Sequence, residues 1–252
     1  MIPAIRVVFL YVLMLASLSL GMAGYVQAAE TAEAGVVSNV DGQLVAKGTD
    51  GVLRPLAIGQ KVFSGDMLFT GKDSHARIKF SDGGVMLLKP RSQFKIESFN
   101  FEANQPKSDQ ATFNLLKGGL RAVSGLVGKR GDPDSYAVKT SAATIGIRGT
   151  HFGLRLCKGD CADIETKNGL PLEDGLHVDV AQGIVQVSNA AGSTQVHAGE
   201  FSFVSDEKTM PATVPVDKGT PVEIPPSMMM DKVRGKGDGE RKDAIPNTCP
   251  AN

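Results

Sequence analysis

The stretch that decides the fold is residues 136–156, which read YAVKTSAATIGIRGTHFGLRL. Apolar residues alternate with polar or small ones at both ends of the stretch, and this period of two predicts half-buried strands. Arg148 lies between Gly146 and Gly149, among apolar and small residues. Burying an unpaired cation is expensive. We therefore expect Arg148 either to point outward or to pair with a carboxylate elsewhere in the fold.

The same alternation continues on both sides of this stretch. Runs of four to seven residues, such as 76–80, 85–89 and 184–187, are separated by Gly or by Asp-Gly, with few candidate helices. Many short strands at nearly regular spacing are typical of an all-β domain. The sequence therefore predicts one all-β domain over residues 35–205.

The first 28 residues have the pattern of a secretory signal peptide. Arg6 gives a positive start, residues 7–20 are apolar, and residues 26–28 have the small-x-small form of a cleavage site. The apolar run is shorter than the ~20 residues that a membrane span needs. We expect cleavage near residue 28 and an exported product without a stable membrane span; an uncleaved N-terminal anchor is the alternative.

Residues 206–252 differ in composition from the β domain. Seven of the 13 prolines lie in the last 42 residues, next to a methionine triplet and a mixed charge run. Prolines at this density do not suit a sheet, and the apolar content is too low for independent folding. We expect a Pro-rich mobile tail, of which part of residues 214–224 lies along the β body.

Composition and motifs argue against several classes of function. Lys+Arg and Asp+Glu are equal at 27 each, so no excess of positive charge suggests nucleic acid binding. The chain has no nucleophile elbow, zincin motif or Walker A motif. We expect no enzyme activity, no catalytic residues and no cofactor.

The three cysteines suit an oxidising compartment. Cys157 and Cys161 are separated by a Gly-Asp turn that can bring their sulfurs together. We favour a disulfide between them over a metal site, which would lack a nearby pair of histidines. Cys249 is left over, either as a free thiol or as the link of a disulfide-bonded dimer.

Two groups of residues are candidates for a site. His177, Asp179 and His197 could share the polar face of neighbouring strands and hold zinc or copper, although a solvated polar face is the expected default. The pairs Gly65-Asp66 and Asp82-Gly83 are first of all turn formers. Of their carboxylates, Asp66 or Asp82 is our predicted partner for Arg148.

The order of motifs along residues 36–204 resembles the FecR family domain. Each motif is short, and it is their order that carries the resemblance. The most family-like piece is Ile147-Arg148-Gly149-Thr150-x-Phe152. The other pieces include Leu56-x-x-Gly59, Ser64-Gly65-Asp66, Phe80-Ser81-Asp82-Gly83, Leu87-Leu88-Lys89, Leu115-x-Lys117-Gly118-Gly119, Val138-x-Thr140, residues 178–187 around Gly183, and Ala198-Gly199-Glu200.

The resemblance implies a twisted, solenoid-like stack of short strands instead of a closed barrel, with a β-sandwich or jelly roll as the alternative. It also implies a periplasmic role in envelope signalling or ligand sensing. Family founders carry a cytoplasmic anti-sigma region before one membrane helix, whereas only six residues precede the apolar run here. We therefore expect a stand-alone domain that is not itself an anti-sigma factor.

Two classes of function remain open for such a module. The first is protein–protein interaction with an unidentified envelope protein through sheet edges or a groove. The second is binding of glycan or peptidoglycan, which the absence of Trp and the presence of only three Tyr disfavour. A component of a surface adhesion assembly, tethered through Cys249, is a third possibility.

Overall fold

The computed structural model of the protein describes residues 32–130 and 132–228. The predicted signal peptide, Cys249 and the end of the predicted tail lie outside the described residues. No helix among the described residues is long and apolar enough to cross a membrane.

Three 3₁₀ turns lie at Pro106–Ser108, Pro133–Ser135 and Pro226–Met228. The strands are β1 (Glu33–Asp41), β2 (Leu44–Lys47), β3 (Leu53–Pro55), β4 (Lys61–Phe63), β5 (Met67–Thr70), β6 (His75–Phe80), β7 (Val85–Leu88), β8 (Gln93–Asn100), β9 (Gln110–Val123), β10 (Tyr136–Lys139), β11 (Thr144–Cys157), β12 (Gly175–Asn189), β13 (Gly192–His197), β14 (Phe201–Val204) and β15 (Ala212–Val214).

These strands form one large sheet that does not close on itself. Its main path runs β15-β14-β12-β11-β10-β9-β7-β6-β1-β4, and β13 pairs with β12. A branch of β3, β2, β5 and β8 joins the path at β9. The β9–β10 pair is parallel, and the other pairs are antiparallel. The all-β prediction is confirmed. Since one hydrogen-bonded sheet contains every described strand, the two separate sheets of a sandwich do not form here.

Three long strands bend at glycines and change partners there. β9 pairs with β8 up to Lys117 and with β7 and β11 beyond Gly118. Gly118, Gly149 and Gly183 have φ values of +82°, +61° and +83°, a region that other residues rarely adopt. A Cβ on Gly183 would lie 2.7 Å from the carbonyl oxygen of Gly149, so the bends of β11 and β12 abut. The bends let one strand serve two parts of the sheet.

The inward residues of the strands meet in one main apolar core that includes Phe113. The ring centroid of Phe113 lies 5.2 Å from that of Phe80, 5.4 Å from Phe94 and 5.5 Å from Tyr136. Such aromatic pairs contribute roughly 0.5–1.5 kcal/mol each beyond the burial of their area. From β11, Phe152 enters the same core, with Leu154 and Leu156 following at period two. The alternation seen in the sequence thus faces the core as predicted.

The C-terminal segment of the described chain packs on the body. β15 pairs with β14, and Val222, Ile224 and Met228 are buried. We call residues 217–228 the strap. The sequence assigned residues 206–252 to a mobile tail, with only part of 214–224 along the body. The structure extends the packed part to Met228, because three apolar side chains interrupt the prolines and find buried positions.

Candidate functional site

Arg148 lies on the outward side of β11 and is exposed. The sequence had predicted that it either points outward or pairs with a carboxylate. The carboxylate of Asp66 instead binds Arg54, with Nη2 at 2.7 Å from Oδ1 and 2.6 Å from Oδ2. The carboxylate of Asp82 accepts two backbone N–H groups in turns. The predicted pairing of Arg148 with either residue is therefore wrong. The outward face of β11 at Arg148 is open to solvent, so its charge needs no buried partner.

The predicted turn residues all have roles in holding loops. Gly65 and Gly83 have φ values of +90° and +83° in tight turns. Burial raises the pKa of Asp82, and the backbone N–H groups of Gly84 and Val127 oppose that shift. The Thr150 hydroxyl donates to the Ile184 carbonyl across the bend beside Gly149. These residues position the backbone and do not converge on one site.

The three candidate metal ligands are not brought together. His197 pairs with Ile184, beyond the bend of β12, whereas His177 and Asp179 pair with β14. The ring of His177 packs on Phe203, with centroids 4.8 Å apart. Among the described residues, no group of three or more His, Cys, Asp or Glu is arranged to hold a metal ion.

The predicted disulfide between Cys157 and Cys161 is present, with the Cα atoms 5.5 Å apart. Both cysteines are buried in a small cluster with Leu172 and Ile164. The bond links the last residue of β11 to the first part of the loop that leads to β12. We call residues 158–174 the disulfide loop.

A buried polar network lies under the strap, and sequence reasoning missed its centre, Arg121. Arg121 Nη1 donates to Asp179 Oδ2 at 2.5 Å, and Arg121 Nε donates to His151 Nε2 at 2.8 Å. Both members of the ion pair have side chains that are only 6% exposed. Burial first, and the Arg121 charge second, lower the pKa of His151 to about 4. His151 is therefore neutral at pH 7 and accepts a hydrogen bond from the guanidinium.

The strap joins this network through its backbone. The Val222 N–H donates to Asp179 Oδ1 at 2.9 Å, and the Val222 carbonyl accepts from Arg121 at 3.2 Å. The strap then follows one row of residues across five neighbouring strands, with Gly219 against the Phe201 ring and Ile224 against Leu87. We call this the strapped row: Leu87, Arg121, Gly153, Asp179 and Phe201.

Away from the strapped row in the strand order, residues 52–63 form a lobe with exposed apolar side chains. Val52, Leu53 and Ile58 are 54%, 64% and 43% exposed. Leu53 belongs to β3, which pairs with β2 and with no other described strand. An exposed strand edge with large apolar residues is a common place for protein contacts. We call residues 52–63 the apolar lobe.

The apolar lobe rests on a rigid base that contains Asp66. Arg54 on β3 forms its ion pair with the buried Asp66 and lies over the Phe63 ring, 5.4 Å from the centroid. Asp66 also accepts the Phe63 N–H at 2.9 Å. The turn is fixed to β8, since Gly65 N–H donates to the Ile96 carbonyl. Asp66, singled out in the sequence as a partner for Arg148, thus holds the lobe.

The fold and these surfaces define a non-helical, open-sheet module with one strapped face and one exposed apolar edge. Residues 66–186 match the model of the family described as FecR protein. This part of the chain, from β5 to most of β12, is a FecR domain. The sequence resemblance is confirmed, over a shorter span than the 36–204 expected, and the apolar lobe lies outside the matched residues.

Some solved protein structures resemble part of this chain. Two crystal structures of a protein from Parabacteroides distasonis, provisionally described as an anti-sigma factor, share 15% and 16% identity with the chain and have TM-scores of 0.43 and 0.44. Each covers 60% of this chain, and the chain spans 59% of the length of those proteins. A cell surface anchoring domain shares 26% identity over 24% of this chain and 80% of its own length, with a TM-score of 0.24. No curated protein matches the chain.

Proposed function

We propose that the protein is an exported binding module that works in the periplasm as part of envelope signalling, without catalysis of its own. It docks a protein partner on the apolar lobe. The FecR domain supports a role in envelope signalling. The observation that carries the docking proposal is the exposure of Leu53, at 64%, on the open edge strand β3.

The lobe suits docking because its apolar side chains are exposed while its base is fixed. The Arg54–Asp66 ion pair holds β3, and Asp66 is buried. A surface that is ordered before binding loses little conformational entropy when a partner arrives. The partner would bury Val52, Leu53 and Ile58. It would also form backbone hydrogen bonds over a short stretch with the free edge of β3. Pro55 ends this edge, since it has no N–H to donate.

The size of the expected effect follows from burial. Fully burying a leucine side chain contributes about 1.5–3 kcal/mol, so Leu53→Asp should weaken docking by about tenfold to a hundredfold. Ile184 is a matched control, because it is also an exposed aliphatic residue, at 42%, on β12 near the bend. Ile184→Asp should leave docking unchanged.

The test is site-specific photo-crosslinking in living cells of the source organism. A photoreactive amino acid at position 53 should give one discrete heavier band with an envelope protein, and the same group at position 184 should not. Leu53→Asp should strongly weaken the band from a photoreactive group at position 52. Bands of equal strength from positions 53 and 184, or no band from 53, would contradict docking on the lobe. Recovery of the chain from the cytosol with residues 1–28 intact would contradict the export.

A further inference from the structure

A second row of residues runs across the sheet beside the strapped row and has two cations facing each other. The Lys89 N–H donates to the Gly119 carbonyl, and Gly119 lies opposite Arg155 in the β9–β11 pair. Gly119 has no side chain, and a Cβ there would lie 3.5 Å from Lys89 Cγ and 3.7 Å from Arg155 Cα. Lys89 and Arg155 therefore lie on either side of Gly119, which has no side chain to separate them.

These two cations line a cleft of about 280 Å³ between the end of β7 and the disulfide loop. Gly118 also lines the cleft, and Cys161 with Ile164 lines it on the side of the disulfide. Gly118 of the Leu115-x-Lys117-Gly118-Gly119 motif therefore belongs to the lining of the cleft, and Gly119 lies between the two cations on the sheet. The disulfide keeps the opposite wall in place.

Arg155 is half-buried in this cleft, yet no hydrogen bond or ion pair joins its guanidinium to any described residue. Among the described residues, Lys89 Nζ has one hydrogen-bond partner, the Glu223 carbonyl of the strap, at 2.9 Å. Burial lowers the pKa of Lys89 to about 8, and the Arg155 charge adds to that shift. Burial also lowers the pKa of Arg155, and the negative charges of Asp163, Asp160 and Asp179 oppose that shift. An anion between the two side chains would relieve both effects, because an opposite charge favours the charged form of each.

The rim of the cleft has the one non-glycine residue with positive φ in the described chain, Arg91 at +56°. Such a conformation is uncommon for a long side chain and tends to occur at functional sites. Arg91 lines the same cleft as Arg155. The turn therefore adds an exposed arginine to the lining of the cleft.

The charge of the lining decides the class of anion. Four cations and three carboxylates line the cleft, and one carboxylate, Asp160, is paired with Lys117 at 3.2 Å. The excess is therefore one positive charge. It rises to two when Asp160 is left out of the sum because Lys117 already neutralises it. An excess this small suits a single negative charge, and the exposed Asp73 and Asp163 at the rim repel polyanions.

We propose that this cleft binds a carboxylate group between Lys89 and Arg155. The guanidinium offers two parallel N–H donors to the two carboxylate oxygens, and Lys89 Nζ adds a third donor. The carboxylate is that of a small metabolite or of a peptide chain end, since both fit a cleft of this size. The site lies apart from the apolar lobe and does not depend on the docking proposal.

The test is titration of the isotopically labelled full chain, with the Nε–H resonance of Arg155 as the readout. The probes are sodium acetate, triglycine and triglycine amide, with sodium chloride as the control for ionic strength. Acetate should shift the resonance in a saturable way, and triglycine should do so while its amide does not. Tighter binding of triglycine than of acetate would identify the chain end as the source.

Matched variants test the assignment of the site. Lys89→Gln and Arg155→Gln should each raise the Kd for acetate at least tenfold, whereas Arg148→Gln on the exposed part of the same strand should not change it. Leu53→Asp should also leave acetate binding unchanged. The absence of a saturable shift in the unmodified protein, or equal loss in Arg148→Gln and Arg155→Gln, would overturn the proposal. The titration of the unmodified protein decides it even where a variant fails to fold.

Discussion

The two halves of β11 look alike in the sequence and differ in the structure. In residues 144–148 the outward side chains, such as Thr144 and Arg148, are exposed to solvent. In residues 151–157 the outward positions His151 and Gly153 are buried, because Val222 of the strap lies over Gly153 and His151 belongs to the network that the strap joins. A segment about 70 residues further along the chain thus decides whether one face of a strand is a surface or a second buried layer. Alternation alone does not distinguish these cases.

The largest expected difference concerns two arginines on the outward face of the sheet. Arg121→Met would leave Asp179 buried without its cation, and breaking such a pair costs about 3–5 kcal/mol. Arg148→Met should change the free energy of unfolding by less than about 0.5 kcal/mol, because Arg148 is exposed. Urea denaturation of both variants measures this. Similar losses in the two variants would mean that the strapped face is not buried in solution.

The second difference is a pH dependence that belongs to the strapped half alone. His151 has a pKa of about 4 in the fold and about 6.5 in the unfolded chain. The unfolded state therefore binds the proton first as the pH falls. The contribution of neutral His151 is complete above pH 6.5 and is lost as the pH falls to about 4, by at most about 3 kcal/mol.

The measurement is the free energy of unfolding between pH 7 and pH 4, compared with that of His151→Gln. The variant should lose most of this part of the pH dependence, whereas His197→Gln, at an exposed position, should keep it. A slope that is the same in all three proteins would show that His151 is already accessible to protons in the fold.

The third difference concerns two glycines at equivalent outward positions. A Cβ on Gly153 would collide with Asp179 Oδ1 and lie 2.7 Å from the Val222 Cβ, and both groups are held by the network. A Cβ on Gly146 would meet only the Gln186 Cβ, at 3.9 Å. Gly153→Ala should therefore destabilise the protein by about 1–3 kcal/mol, whereas Gly146→Ala should be neutral or slightly stabilising. Thermal unfolding of the two variants separates them.

The smallest expected effect comes from the disulfide at the end of the strapped half. Cys157 and Cys161 close a loop of five residues, and chain entropy gives such a crosslink at most about 2 kcal/mol. Reduction should speed amide hydrogen exchange at residues 155–157 and leave that at residues 144–148 unchanged. Equal acceleration in both halves would indicate that the bond stabilises the whole sheet.

Much of the fold was predictable because it depends on local pattern. Strand positions, Asp-Gly turns and the Cys157–Cys161 pair all follow from residues close in sequence. The site residues were harder to predict, since their partners are distant. Arg54 pairs with Asp66, 12 residues away in the sequence, and Arg121 pairs with Asp179, 58 residues away. Nothing in the residues next to Arg54 or Arg121 distinguishes these arginines from Arg148.

By itself, the sequence determined an all-β chain with its strands, its turns and its FecR motifs, because period-two alternation and glycine conformations are properties of short segments. The tertiary structure alone decided which outward faces become buried. Residues 217–228 could lie over the strapped row only because Ile224 and Met228 pack against apolar residues of β7 and β9, while Val222 bonds to Asp179 of β12. Whether the outward face of a strand is buried depends on the segment that packs over it, and that segment is distant in the sequence.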